Sequence, residues 1–268
     1  SNGGAWKNEI SLGYEQFMAT ELYLPMSKEN TFFTRTRAHW QKDRWRGVNQ
    51  SDLVGELTKE SIAGTFSLGY NLFDNAIIES GVLAECGGTS YQGISGTTPD
   101  YTSYGGYFSF GFDNLNSINF PTSGNQLMVN VYVRNDRYDE KYFGTDEDKS
   151  IQYTVNWRGA LSLNQHTFVG IASYAQVENE TDYTVHLSQL GGFLNLSAYQ
   201  KNELVGAHKV FGALVYHYDL GQDVFGLTQY PVYLGTSVET GNVWLVEDSV
   251  DLDELILSGS LFFGIDTS

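Results

Sequence analysis

Tyr230-Pro231-Val232-Tyr233-Leu234-Gly235-Thr236-Ser237-Val238-Glu239-Thr240-Gly241-Asn242-Val243-Trp244 decides the fold. Val232, Leu234, Val238 and Trp244 stand at even positions, whereas Gly235, Ser237, Glu239 and Gly241 stand at odd ones. Successive strand side chains point to opposite faces, so this period of two predicts a β-strand with one greasy and one polar face.

Working outward, the same alternation recurs along the chain. Leu127, Val129, Val131 and Val133 face away from Met128, Asn130, Tyr132, Arg134 and Asp136; Ile151, Tyr153, Val155 and Trp157 face away from Gln152, Thr154, Asn156 and Arg158. Weaker alternation marks Trp6 to Tyr14, Thr20 to Met26, Phe32 to Gln41, Thr58 to Leu72, Ile77 to Cys86, Thr102 to Asn114, Thr167 to Val177, Val210 to Leu220 and Leu255 to Asp266. That makes about twelve strands, most near the 9–11 residues that a tilted strand needs to cross a bilayer. Helical periodicity is almost absent. Ser27 to Asn30 and Phe73 to Asn75 are expected as tight turns, whereas Gly87 to Tyr101, Asp139 to Lys149 and Glu178 to Val205 are expected as long loops. Short connections at one end and long ones at the other suit an all-β, antiparallel, up-and-down transmembrane β-barrel, with residues 1–268 forming one domain.

Composition narrows the function. A net charge of −17 argues against a nucleic-acid partner, because non-specific affinity for phosphate comes from Lys and Arg. Cys86 is the only cysteine and can form no intramolecular disulfide. No apolar run approaches the ~18 residues of a membrane helix. The chain opens Ser1-Asn2-Gly3-Gly4 with no signal-peptide pattern, which reads as the middle of something longer.

The polar faces carry Arg35, Arg37, Glu79, Asp113, Arg134, Arg158, Glu239 and Asp266, with Glu85 beside them. In a barrel these would point into a lumen, the four arginines pairing with Glu79, Asp113, Glu239 or Asp266 and narrowing the pore. Ordinary solvated strand charges are the competing reading. Trp6, Tyr14, Trp157, Tyr230 and Trp244 lie on the opposite face near strand ends, where amphipathic rings favour headgroups. A soluble, secreted β-sandwich that binds a ligand also alternates, with its greasy face inward, and stays an alternative at this point.

A further stretch is more specific than periodicity. Gln189-Leu190-Gly191-Gly192-Phe193-Leu194-Asn195-Leu196-Ser197-Ala198-Tyr199, followed by Asn202-Glu203-Leu204-Val205-Gly206, resembles the LGGF-x-x-LSGY signature in the barrel of patatin-type autotransporters, of the BamA-like bacterial surface-antigen superfamily. Other landmarks of that family resemble, in order, Gly3 to Asn8, Thr20 to Met26, Asn119 to Gly124, Tyr233 to Trp244 and Ser258 to Ser268, so the resemblance covers essentially the whole chain. It implies a sixteen-stranded barrel of which the chain holds the third to the fourteenth strand, leaving two unpaired edges. It also makes Leu190, Gly191, Gly192, Phe193, Leu196, Ser197 and Tyr199 an extracellular-loop motif. Much of the superfamily carries Val-Arg-Gly-Phe there, with the Arg docked inside the barrel. Gly191 supplies no charge, which favours the patatin-linked branch, and the Gly pair would let the backbone turn sharply.

Catalytic chemistry is missing from the sequence. A patatin lipase needs a Gly-x-Ser-x-Gly elbow; Gly88-Thr89-Ser90-Tyr91-Gln92-Gly93 has the wrong spacing and Gly235 to Glu239 lies mid-strand. His39, His166, His186, His208 and His217 show no metal-ligand spacing, and the acidic stretches Asp139 to Lys149 and Val246 to Glu254 lack the EF-hand pattern. No cofactor is expected. The expectation is a barrel in the outer membrane of a Gram-negative bacterium. Its partners would be outer-membrane lipid and an N-terminal patatin-like phospholipase passenger outside this chain, which it anchors and, in a second role left open, translocates. Homo-oligomerisation is compatible with the sequence. A general outer-membrane channel is the alternative among barrels.

Overall fold

The computed structural model describes residues 3–13, 15–49, 52–91, 100–139, 147–181, 184–222, 229–245 and 250–267. Tyr14, the centres of the acidic stretches (140–146 and 246–249) and residues 92–99 of the Gly-rich connection lie outside the described residues.

The strands are β1 (Ala5–Ser11), β2 (Gln16–Pro25), β3 (Phe32–Asn49), β4 (Asp52–Phe73), β5 (Ala76–Tyr91), β6 (Asp100–Asp113), β7 (Ser123–Tyr138), β8 (Glu147–Leu163) and β9 (His166–Asn179). Two short strands follow, β10 (Ser188–Leu190) and β11 (Leu204–Gly206), then β12 (His208–Gly221), β13 (Val232–Trp244) and β14 (Ile256–Ile265). Twelve of them form one sheet in the order β1 to β9, then β12, β13 and β14, every neighbouring pair antiparallel. The all-β, up-and-down expectation holds. β10 and β11 pair only with each other, inside the β9–β12 connection.

Two faces of this sheet differ in an unusual sense. Apolar positions along the strands are exposed, Leu261 being 85% accessible, Val238 61% and Leu234 53%, but Val232 and Trp244 at the two ends of β13, expected on the same outward face, are buried. The polar positions are buried, with Glu239, Asp136, Ser103, Ser61 and Ser67 almost inaccessible. A β-sandwich places its apolar faces together between two sheets. Here a single curled sheet turns them outward, so the sandwich alternative fails on polarity. Glycine makes room on the concave side: a Cβ on Gly69 would overlap the Phe33 ring, and one on Gly235 would overlap Phe262.

Strand lengths exceed the pattern. Gly87 to Tyr101 was expected as a loop, yet Gly87 pairs with Tyr101 and Gly88 with Asp100. Ladder hydrogen bonds need only backbone, so glycines that erase the side-chain alternation do not end the strand. β3 and β4, at 18 and 22 residues, likewise run past the alternating stretches within them. Asn164, at φ 57°, makes the β8–β9 turn in two residues, a conformation Asn tolerates.

Candidate functional site

The long β9–β12 connection folds back against the concave face. β10 and β11 form its neck, with Ser188 opposite Gly206 and Leu190 opposite Leu204. Beyond the neck the chain winds through tight turns: the Gly191 N–H donates to Asn195 O (2.8 Å), that of Gly192 to Tyr199 O (3.0 Å) and that of Tyr199 to Leu196 O (3.0 Å). Gly191 and Gly192 take φ of +120° and +108°. A Cβ on Gly191 would overlap Gln200 O, so the Gly pair is needed for the close return of the chain. Leu190, Leu196 and Leu204 then close over Phe211 of β12, with Tyr199 packed alongside. Fully burying a leucine side chain stabilises by about 1.5–3 kcal/mol, so the loop carries a small core of its own.

Three sets of polar contacts fix this loop to the sheet. At its tip, the Ser197 N–H and Oγ both donate to the Glu239 carboxylate, at 2.7 Å each, and Ser237 Oγ donates to the same group at 2.5 Å. Three donors satisfy a carboxylate that is wholly buried, and hydrogen bonds to a charged group contribute roughly 1.5–3 kcal/mol each. Nearby, the Ala198 N–H donates to Ser258 of β14, and Phe193 meets Phe262 edge to face at 5.3 Å between ring centres. Toward β1 and β2, Lys201 and Asn202 both reach Glu15. At the base, Lys59 of β4 donates to Val185 O (3.1 Å) and pairs with Glu85 (3.0 Å), which also accepts from Tyr101. His186 Nε2 lies 3.0 Å from Asp136 Oδ1, whose other oxygen accepts from Ser150. Burial, and then the nearby Arg134, pull the His186 pKa below its ordinary value, against the opposing pull of Asp136. His186 is therefore neutral at pH 7.

The remaining charges sit elsewhere on the concave face. Arg35 pairs with Glu79 at 2.6 Å, and Glu79 also accepts from Ser67 and Tyr107. Arg37 pairs with Glu9 and Glu21 rather than with any of the four carboxylates expected of it. Arg134 donates to Gln152, and Arg158 donates to the carbonyls of Ile118 and Asn119. Asp113 accepts from Gln126 and from the Leu115 N–H. Asp266 follows β14, its N–H bonded to Pro231 O.

Period-two reading places these residues on one face but says nothing of which lie at the same height, so their pairing escapes it. It also passed over Lys59, Asp136 and His186 as parts of the site. Lys59 alternates in phase with Ser61 and Ser67, which was a usable signal; His186 lies in a connection with no periodicity at all. Among the described residues no group of three or more His, Cys, Asp and Glu side chains converges as a metal site would require.

No protein-family model and no curated protein sequence matches the chain. Solved structures do. BamA from Haemophilus ducreyi, crystallised without its POTRA domains 1–3, aligns with a TM-score of 0.70 at 13% identity, over 91% of this chain and 52% of that one. CdiB from Escherichia coli aligns with a TM-score of 0.54 at 13% identity, over 92% of this chain and 47% of that one. The chain thus spans about half the length of the structures it matches. Such low identity speaks to architecture alone, and the architecture is that of a BamA-like barrel: an antiparallel up-and-down sheet, greasy outside and polar within.

Proposed function

We propose that the chain is the outer-membrane part of a larger bacterial envelope protein, in which it anchors an attached polypeptide and holds a loop inside its own lumen. One observation carries this reading: the sheet buries its charges and exposes its aliphatic side chains. In water that arrangement would leave a large apolar surface unsatisfied; in lipid it is the stable one. The BamA-like architecture supports the same location. A small, soluble binding protein has no use for such a surface.

In the finer reading the attached polypeptide is a patatin-like phospholipase, supported by the Leu190-Gly191-Gly192-Phe193 stretch and the landmarks around it. The chain itself then performs no ester hydrolysis. The loop docked at Glu239 would make passive diffusion slow, which weighs against a general channel.

Labels at two positions test the location. In a Cys86→Ser background, fluorophores go on Leu234→Cys and on Ser173→Cys, on opposite faces of the sheet. Quenchers buried in a vesicle bilayer should darken the first and spare the second. Equal access of both to a water-soluble quencher would return the protein to solution. For the passenger, cells making the whole protein should show phospholipase activity in the outer-membrane fraction, and deletion of this segment should release it.

A further inference from the structure

The β6–β7 connection is much longer than joining two neighbouring strands requires, since two residues suffice for a hairpin. Its chain folds inward instead. Asn116 ties the two ends together, donating to Thr122 Oγ1 (2.7 Å) and accepting from the Thr122 and Ser123 N–H groups. Arg158 of β8 holds its crest through the carbonyls of Ile118 and Asn119, at 2.9 and 3.3 Å. Phe120 is thereby thrust across the interior. Its ring stacks on Tyr233 of β13, 4.4 Å between centres and 16° from parallel, with His217 of β12 edge-on at 5.8 Å. On β14 a Cβ at Gly264 would overlap the Phe120 ring, so this position is left without a side chain. Tyr233 lies four strands away from β7 in the sheet order, and the turn reaches it over the concave face, touching Arg158 and Ser162 of β8 and His217 of β12 on the way.

The β9–β12 loop arrives from the opposite end. Its Phe193 rests on Phe262, which faces Gly235; Tyr233 and Gly264, which meet Phe120, are the next pair along on the same face. Loop and turn therefore stop on adjacent rungs of β13 and β14. We propose that the Phe120 turn is a second plug of the lumen, in series with the loop, so that passage requires both to leave. This rests on the membrane-barrel reading above. The turn can leave cheaply. It shares no ladder hydrogen bonds with β12 to β14, and its departure breaks the ring contacts of Phe120 with Tyr233 and His217, the two Arg158 contacts and the hydrogen bond from Ser162 Oγ to Thr122 O. His217, buried beneath it beside the Pro121 backbone, would gain water on opening.

The test is conductance, in planar bilayers, of the whole protein that contains this chain, comparing Phe120→Ala, Glu239→Ala and the double variant. Each single variant should stay near the wild-type level, because one plug remains, and the double variant should conduct roughly tenfold or more above either. A Phe120→Cys/Tyr233→Cys pair in the Cys86→Ser, Glu239→Ala background provides a check that does not depend on truncating the ring: oxidation should close the pore and reduction reopen it. If Phe120→Ala alone conducts as well as the double variant, the plugs are not in series. If the inserted double variant conducts like wild type, the turn is no plug. Failure of the whole wild-type protein to insert would instead sink the membrane-barrel reading.

Discussion

The two faces of β13 obey different rules. Outward, Leu234 and Val238 meet a surrounding that is the same everywhere, so any aliphatic side chain serves. Inward, Glu239 meets one particular serine of one particular loop, and Ser237 meets Glu239 and Ser260 of β14, so nothing else would do as well. The outer face is specified by composition and the inner face by partnership. Substitutions should therefore behave by class outside and by individual contact inside.

The largest expected effect lies outside. Leu234→Arg places a cation on the apolar band and should destabilise the folded state in lipid by about 2–4 kcal/mol. Ser173→Arg, on the concave face where Ser173 is only partly buried, should cost much less. Denaturant titration of both in vesicles decides the matter, and equal costs would erase the distinction between the faces. Next, Leu196→Ala should weaken loop docking by about 2–5 kcal/mol, the usual range for emptying a packed leucine site. Limited proteolysis around Lys201 should accelerate while the sheet's own unfolding is almost unchanged; a matched loss in the sheet would mean that the loop is part of its core.

A smaller effect should appear with pH. His186 binds its proton less readily when docked than when free, so the undocked loop holds more protons between the lowered docked pKa and the free value near 6.5. Docking is then at full strength above about pH 6.5 and weakens as pH falls through that window. Proteolysis at the loop should speed up on acidification, and His186→Gln should flatten the profile. An unchanged slope in that variant would point to another group. Smallest of all, Arg137 and Glu147 pair at 3.0 Å with both side chains more than half exposed, and Arg137→Ala should alter stability by about 0–1 kcal/mol. A larger loss would mean that lipid, rather than water, surrounds that pair.

The same contrast explains what was legible in advance. Alternation is a local signal, and it places Leu234 outward and Glu239 inward from the six residues Leu234 to Glu239. It cannot show that Ser237 is pinned between Glu239 and Ser260, at 2.5 and 2.8 Å, because those contacts depend on the register of β13 against β14, nor that Glu239 also accepts from Ser197, 42 residues upstream. For that reason Ser237 is a poor site for a benign inward substitution, although alternation alone would choose it. Gly87 and Gly88 show the converse failure: with no side chains they carry no alternation, yet their backbones continue the ladder. The docked loop was legible as a motif but not as an arrangement. Ser197 and Glu239 each stood out separately, and it takes the positive φ values at Gly191, Gly192, Leu194 and Leu196 to bring the serine to the carboxylate.

The length of β4 has an architectural consequence. At about 3.3 Å per residue, 22 residues extend roughly 70 Å along the strand, and a tilt near 40° leaves about 55 Å of height. The apolar band of an outer-membrane barrel is only ~25 Å tall. β13 and β14, at 13 and 10 residues, barely exceed it. Among the described residues the strand ends thus form a slope, high at β3 and β4 and low at β13 and β14. A molecule drifting toward the mouth meets a tall wall on one side and a threshold on the other, so its approach has a windward and a leeward direction set by strand length alone.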